Sequence, residues 1–322
     1  MTLHEGPGPH ARETGSTAPR TELAADAGAA SPSRWELFRA LGAVAGDPAD
    51  ARTACRALGV PSPSRGEHTV AFVLNCPPYA SVYLGAEGGI GGDAADRVAG
   101  FWRAIDVAPP AEPDHLTALL SLYASLGEAG GDSATAATAD ALTRARRALF
   151  WEHIWPWLPG YLDAVARLAS PSLTAWALLA RRALAGERRA HPGSWLPLAL
   201  RDAPPPVTAD GSLDDLLTGL TAPIRCGFVL TRHSLAAGAD AAGAGYRIGE
   251  RRFTLRAMLE QTPADTLSWL SCEAARWSRR HARQRPGSPA APGPADIVQK
   301  WWARRAHHTR RVLDAAARAT QR

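Results

Sequence analysis

The sequence predicts an all-α protein made of a helical bundle, a smaller helical region towards the C-terminus, and disordered termini. The first reason is that apolar residues recur at spacings of three and four along most of the chain, as they do on the buried face of a helix. The second is that prolines, glycines and capping residues divide these segments by short turns. The chain has 322 residues, of which 46% are hydrophobic, and this is enough for a large core.

The N-terminal part begins with a polar segment and continues with two short helices. Residues 1–33 are rich in Gly, Pro, Ser and Ala and contain few large apolar groups. They cannot offset the entropy lost on ordering and are expected to be disordered. Ser33 is expected to cap a first helix that stops near Gly46, and Asp47 is expected to cap a second.

The segment from 70 to 105 is less regular. The β-branched run 70–74 suits a short strand, but no partner strand lies nearby, and the helical alternative is favoured. A glycine-rich stretch follows at 85–92. A helix that carries Phe101 and Trp102 is then expected from Ala94 to Ile105.

Two acids, a proline and a histidine precede the most regular helix of the chain. Pro113 suits the first turn of a helix, and Asp114 is expected to cap the N–H groups of the helix that follows it. This cluster indicates either a well-made helix start or a binding site. The apolar face of the helix is formed by Leu116, Leu119, Leu120, Tyr123 and Leu126.

More helices are expected in the rest of the chain. The bundle domain is expected to cover residues 34–203, and the prolines at 204–206 indicate a stiff linker. A helical C-terminal extension is expected at 211–283. Residues 284–322 are expected to be a flexible linker and a basic tail, in which Asp296 to about Ala319 forms a lone helix. Removal of residues 286–322 is expected to leave the fold intact, because they have little periodic apolar content.

Composition and charge exclude several classes of protein. The four cysteines are far apart in sequence, so neither a disulfide framework nor a zinc site is expected. No secretory signal and no membrane-spanning stretch is recognised, and a cytoplasmic protein is expected. The net charge is +5, but residues 276–322 alone carry +10. Nucleic-acid binding is not expected, because solubility explains such a basic segment more simply.

Four motifs follow one another along the chain, and these are Tyr79-x-Ser81-x-Tyr83, Phe101-Trp102, Glu112-Pro113-Asp114-His115-Leu116 and Phe150-Trp151-Glu152-His153-x-x-Pro156-Trp157. Their order resembles the TorD/DmsD family of molybdoenzyme-specific maturation chaperones, of the nitrate reductase delta-subunit type. The Glu-Pro-Asp-His segment is one residue shorter between proline and aspartate than in that family, and the first helix lacks the family's phenylalanine after Leu41. The resemblance covers roughly residues 34–200 and implies a TorD-like bundle.

This resemblance implies a cytoplasmic chaperone without catalytic turnover. Such a chaperone binds the twin-arginine leader or the apo form of a molybdopterin-dependent oxidoreductase, and assists cofactor insertion before export or assembly. The family's Asp-His pair contributes to leader binding and corresponds to Asp114 and His115. Leaders combine arginines with an apolar stretch, so their site needs carboxylates beside an apolar groove. The candidate residues for leader or client binding are Tyr79, Ser81, Tyr83, Trp102, Glu112, Asp114, His115, Leu116 and His153.

A metal site is the first rival interpretation of these residues. Glu112-x-x-His115 matches the Glu-x-x-His pattern of carboxylate-bridged di-metal bundles, which require the pattern twice. The second pair, Glu152 and His153, is adjacent in sequence, so its two side chains cannot face one core in the required way. No metal site is therefore expected.

A phosphate-binding loop is the second rival. Gly243-x-Gly245-x-x-x-Gly249 is followed by basic residues, and Arg247 and Arg251 are candidates for an anionic ligand. The segment lacks a preceding strand and a Lys-Ser/Thr pair, so a turn between helices is favoured. The anion site remains the alternative.

The sequence leaves the partners open. An assembly subunit that stays with a redox complex is one alternative to the chaperone, and a helical metal- or nucleotide-dependent enzyme is another. No resident cofactor is expected, whereas molybdopterin guanine dinucleotide or GTP stays open as a direct ligand. The resemblance allows either a monomer or a domain-swapped dimer.

Overall fold

Helices are the regular elements of the protein throughout the part that the computed structural model describes, which is residues 33–132, 135–191, 193, 195–208, 211–283 and 296–320. The all-α prediction is confirmed, because these residues contain no β-strand and their one isolated β-bridge joins Tyr79 to His115. Two of the helices are π-helices, π1 and π2. The order is α1 (Arg34–Ala43), α2 (Pro48–Leu58), α3 (Arg65–His68), π1 (Thr69–Asn75), α4 (Ala80–Leu84), α5 (Gly92–Ala104), α6 (Leu116–Gly131), α7 (Ala136–Ala148), π2 (Leu149–Ile154), α8 (Leu158–Val165), α9 (Pro171–Ala190), α10 (Leu198–Arg201), α11 (Leu213–Thr221), α12 (Pro223–Cys226), α13 (Arg232–Ala242), α14 (Arg251–Gln261), α15 (Pro263–Arg283) and α16 (Ile297–Thr320).

Short polar residues start the first two helices at the positions that the sequence predicts. Ser33 and Glu36 form a capping box at α1, in which the Ser33 Oγ accepts from the Glu36 N–H and the Glu36 carboxylate accepts from the Ser33 N–H. The Asp47 carboxylate accepts from the Ala49 N–H at the start of α2, at 2.7 Å. These side chains satisfy N–H groups that a helix leaves unpaired at its start, so the helix boundaries follow the sequence.

Residues 70–74, for which the sequence left a short strand as an alternative, lie in π1. The side chain of Asn75 holds the end of this element, since its Nδ2 donates to the Val70 carbonyl and its Oδ1 accepts from the His233 N–H, both at 2.8 Å. A π-turn has an extra residue and needs local support for its irregular hydrogen bonds. Asn75 gives this support and ties the chain to α13 just before it enters the candidate site.

Helices α1 and α6 pack closely against each other. The ring edge of Phe38 meets Tyr123 with ring centres 5.0 Å apart. A Cβ atom on Gly42 would lie 3.1 Å from the Leu120 Cβ, so glycine is what allows this approach. The Thr117 hydroxyl also donates to the Gly42 carbonyl at 2.9 Å. The first turn of α6, which follows the Glu112–His115 segment, is therefore held against α1.

The helix expected from Asp296 to about Ala319 is present as α16, but it is not a lone helix in a basic tail. It packs mainly against α15, and the indole N–H of Trp302 donates to the Pro156 carbonyl at 2.7 Å. Several of the buried positions are alanine or threonine, and these small residues make the apolar face inconspicuous in the sequence. The residues that α16 buries are Val298, Gln299, Trp302, Ala306, Thr309, Leu313 and Ala317.

Asp296 anchors the start of α16 to α9 and to Trp155, the residue that follows π2. One carboxylate oxygen accepts from the guanidinium of Arg188 at 2.9 Å and from the indole of Trp155 at 3.0 Å. The other oxygen accepts from the Val298 N–H at 2.9 Å and caps α16. Asp296 and Arg188 are both buried, and a buried charge is tolerated only when it is paired in this way.

The described residues from 33 to 320 form one compact unit. Buried residues of the ranges 34–203 and 211–283 belong to a single apolar core. The two predicted domains are therefore packed together and do not have separate cores. The disorder predicted for 1–33 falls outside the described residues apart from Ser33, and the flexible linker at 284–295 also lies outside them. None of the described helices has the length and apolar character needed to cross a bilayer.

We expect Asp296→Ala to lower the free energy of unfolding by about 3–5 kcal/mol, because it leaves the Arg188 guanidinium buried without its carboxylate and removes the cap of α16. Urea unfolding followed by circular dichroism measures the change. Lys300→Ala, exposed one turn further along the same helix, is the matched control and should change stability by less than about 0.5 kcal/mol. Equal losses in the two variants would contradict the anchoring role of Asp296.

Candidate functional site

A short antiparallel bridge brings the two central motifs together. The Ala80 N–H donates to the Asp114 carbonyl at 3.0 Å, and the Leu116 N–H donates to the Pro78 carbonyl at 2.8 Å. Tyr79 and His115 are the bridged residues, and their rings meet edge to face with centres 4.8 Å apart. The predicted grouping of the Tyr79 motif with the Glu112–His115 segment is therefore present in the structure.

Asp114 is buried and caps a helix distant in sequence. Its carboxylate accepts from the Ser81 N–H at 2.9 Å, on the first turn of α4, where Tyr79 as the N-cap residue makes no side-chain capping bond. This corrects the prediction that Asp114 caps the helix directly after it. That helix, α6, is capped by His115, whose Nδ1 accepts from the Thr117 N–H at 3.2 Å.

His115 and Tyr79 are half-buried and neutral. Burial lowers the pKa of His115, although the nearby Glu112 and Asp114 carboxylates oppose this shift. Because Nδ1 accepts a hydrogen bond, the single ring proton is on Nε2. Burial, together with the hydrogen bond to Glu112, raises the pKa of Tyr79 to about 12.

Glu112 is the exposed carboxylate of the cluster. Its Oε1 accepts from the Tyr79 hydroxyl at 2.8 Å. A carboxylate offers about four acceptor positions, so this one bond leaves capacity for a cationic partner from solution. We call the surface formed by Tyr79, Glu112 and His115 the motif surface.

Four of the predicted site residues lie in the interior and support the motif surface from behind. The Ser81 hydroxyl accepts from the Gly91 N–H at 3.1 Å. Tyr83 stacks on Trp157 with ring centres 5.3 Å apart, and the Trp102 indole donates to the Pro113 carbonyl at 3.2 Å. Leu116 is fully buried. Tyr83, Trp102 and Leu116, which were expected to line an apolar groove together with Tyr79, are therefore part of the protein's own core.

His153 is positioned apart from the motif surface. It lies in π2, is buried, and packs on Phe101 of α5 with ring centres 5.0 Å apart. Burial, aided by the positive charge of Arg97, lowers its pKa to about 4. Within the described part of the chain its ring contact belongs to α5 and not to the Glu112–His115 segment.

The glycine-rich segment 243–249 connects α13 to α14. Gly243 has φ of 65° and ends α13 in the left-handed conformation that favours glycine. Arg251 donates to the Leu230 carbonyl at 3.2 Å and to the Gly88 carbonyl at 3.1 Å, so much of its guanidinium is engaged by the protein. Arg247 is exposed on the loop, and the anionic-ligand site at these two arginines stays a prediction.

The glycine-rich segment 85–92 had no role predicted from the sequence. In the structure the Ser81 hydroxyl holds it at Gly91, and the Arg251 guanidinium holds it at Gly88. Gly88 has φ of 68°, and a Cβ there would lie 2.5 Å from the Thr221 carbonyl oxygen. The segment borders an open cleft of about 490 Å³ that includes Glu87 and Asp202. In the sequence, the high glycine content of this segment was the feature that could have indicated such a close backbone approach.

Among the described residues, no group of three or more His, Cys, Asp or Glu side chains is placed to hold a metal ion. The Glu152 carboxylate, which the sequence pairs with His153, is engaged elsewhere. Glu152 instead accepts from the Trp195 indole at 2.8 Å and from the Leu198 N–H at 2.7 Å.

Comparison with known families identifies the class of protein that this helical body and motif surface resemble. Residues 65–163 match the family described as the nitrate reductase delta subunit, a family of molybdoenzyme maturation chaperones. The resemblance drawn from the motif order is thus confirmed over this segment, which is about a third of the chain and contains the whole motif surface. The comparison with curated proteins found no match.

We expect Asp114→Ala to lower the free energy of unfolding by about 1–2 kcal/mol, because the Ser81 N–H is left buried without an acceptor. Asp114→Asn keeps an acceptor oxygen and should lose less. Thermal and urea unfolding measure both variants. An exposed control, Glu112→Gln, should be nearly unchanged, and a stable Asp114→Ala protein would contradict the capping role.

His153 should make stability depend on pH. Its pKa is about 4 when folded and about 6.5 in an unfolded chain, so acid protonates the unfolded state first. The stability contributed by neutral His153 is complete above about pH 6.5 and is lost as the pH falls towards 4, by up to about 3 kcal/mol.

Urea unfolding across this pH range tests the prediction with His153→Phe, which keeps a ring of similar size. As the pH falls, the free energy of unfolding of the variant should decrease less than that of the unmodified protein. The remaining decline is expected from other histidines whose pKa is lowered by burial, among them His281, with a pKa of about 4, and His115. If the free energy of unfolding falls equally with pH in the variant and in the unmodified protein, the predicted contribution of His153 is contradicted.

Proposed function

We propose that this protein is a cytoplasmic chaperone that binds the twin-arginine leader, or the apo form, of a molybdopterin-dependent oxidoreductase and assists cofactor insertion before export or assembly. The observation that carries the proposal is the family match over residues 65–163. The matched segment contains every residue that the sequence analysis assigned to client binding. A chaperone of this family implies a molybdoenzyme client.

The motif surface supports this function through its charge and exposure. An arginine of the client can pair with the Glu112 carboxylate, which is exposed and fixed in orientation by the Tyr79 hydroxyl. The half-buried rings of Tyr79 and His115 offer apolar area beside that carboxylate. An Arg-rich peptide with an apolar stretch is complementary to such a surface.

Asp114 contributes to this function as a positioning residue. Its carboxylate is buried and accepts a hydrogen bond from the Ser81 N–H. A client arginine therefore does not reach this carboxylate without displacing α4. Ser81 in turn holds the 85–92 segment through Gly91. Client binding at the motif surface is therefore sensitive to Asp114 through the placement of α4, and to Glu112 through direct pairing.

We expect Glu112→Gln to weaken binding of a cognate leader peptide by about 1–3 kcal/mol, because the charged partner of a leader arginine is removed. Calorimetric titration with leaders of the same organism's molybdoenzymes measures the affinity. Glu260→Gln, an exposed carboxylate on α14, is the matched control and should bind like the unmodified protein.

The peptide itself provides a second control. Replacing the two leader arginines by lysines should cost affinity, since a lysine lacks the planar fork that pairs with a carboxylate. Flat heats for every leader, together with a stable stoichiometric complex on purification from cells, would instead favour an assembly subunit that stays with its redox complex.

A further inference from the structure

The outer face of α16 carries a straight row of basic side chains. Successive residues of a helix are turned by about 100°, so positions spaced by three, four and seven fall within about 60° of one another around the axis. All five side chains are exposed, and the row extends for about 27 Å at 1.5 Å per residue. This basic row consists of Lys300, Arg304, His307, Arg311 and Arg318.

The acidic side chains of α16 and its start do not neutralise the basic row. Asp296 is buried on Arg188, and Asp314 is paired with Arg310 at 2.8 Å and with the Ser271 hydroxyl. On the neighbouring helix α15, Arg279 and Arg283 are exposed at a spacing of four, whereas Arg276 is paired with the Glu273 carboxylate.

Charge is also separated along the chain as a whole. Residues 276–322 carry 12 Lys or Arg and two Asp, while the net charge of the full chain is +5. The rest of the chain therefore carries −5. A negatively charged extended surface attracts the α15–α16 face and repels the remainder, so the protein meets such a surface in one orientation.

The row offers no aromatic or large apolar group. Trp302 is buried on the Pro156 carbonyl, and Trp301 is half-buried with the Arg305 guanidinium 4.5 Å from its ring centre. The exposed apolar positions of α16 are Ala315 and Ala319. Single-stranded nucleic acids are bound on exposed aromatic rings, and protein interfaces depend on large buried anchors. The basic row has neither.

A plane of negative charge fits this geometry best. A straight row on one face of a rigid helix contacts a plane along its whole length, whereas the phosphate strands of a nucleic-acid duplex wind away from a straight helix. We propose that α16 docks the protein electrostatically on a membrane surface rich in anionic phospholipid headgroups, without insertion. Polybasic segments bind such surfaces with an affinity that rises with each Lys or Arg and falls with salt.

The test is co-sedimentation of the full chain with vesicles of phosphatidylcholine, with and without phosphatidylglycerol. Binding is expected only to the anionic vesicles and should be lost as salt is raised. The double variant Arg304→Glu/Arg311→Glu should reduce the partition coefficient by about twenty-fold or more, at roughly five-fold per charge. Arg52→Glu/Arg56→Glu, on the exposed face of α2, makes the same change in net charge and should bind nearly as before.

Several results would overturn the proposal. These are an absence of binding to anionic vesicles, an equal loss in the α2 variant, or tighter binding to duplex DNA than to vesicles at the same salt. Circular dichroism checks folding of each variant. If Arg304→Glu/Arg311→Glu is unfolded, Lys300→Glu/Arg318→Glu, at the two ends of the row, replaces it with the same expected loss.

Discussion

The antiparallel pairing of residues 78–80 with 114–116 is the contact on which the candidate site depends. It places the Asp114 carboxylate under the first turn of α4, which has no capping side chain of its own. It also sets His115 at the start of α6 and turns Tyr79 towards Glu112. Neither motif would have its observed geometry alone, because each satisfies backbone groups that the other leaves unpaired.

The residues around this pairing divide into an exposed part and a buried part. Glu112 faces solvent with its orientation fixed by Tyr79. Behind it, the side chains of Asp114, Ser81 and Trp102 form hydrogen bonds with the backbone of neighbouring segments. Rigid support of this kind lowers the entropy lost when a peptide binds, since few side chains remain to be ordered. The same buried bonds explain why residues of one sequence motif have different roles.

Local patterns of the sequence were sufficient for much of the fold. The face of α6 was predicted correctly, since Leu119, Tyr123 and the other residues of the pattern are all buried. The packing of α16 was missed, because Ala306, Thr309 and Ala317 are too small to stand out in a hydrophobic pattern. The acceptor role of Asp114 towards α4 was also missed. Its partner lies 33 residues away in sequence, and a capping pattern describes only neighbouring residues.

Three of the polar contacts that hold the matched segment 65–163 in place come from outside it. Asn75 is bonded to α13, the 85–92 segment is bonded to Arg251, and Pro156 receives the indole of Trp302. The segment is thus a region of sequence similarity and not a transferable module. A chimera that grafted it onto another helical protein would leave these polar groups unsatisfied. To change the client by exchanging this segment between proteins, one would also have to exchange the surrounding helices that contact it.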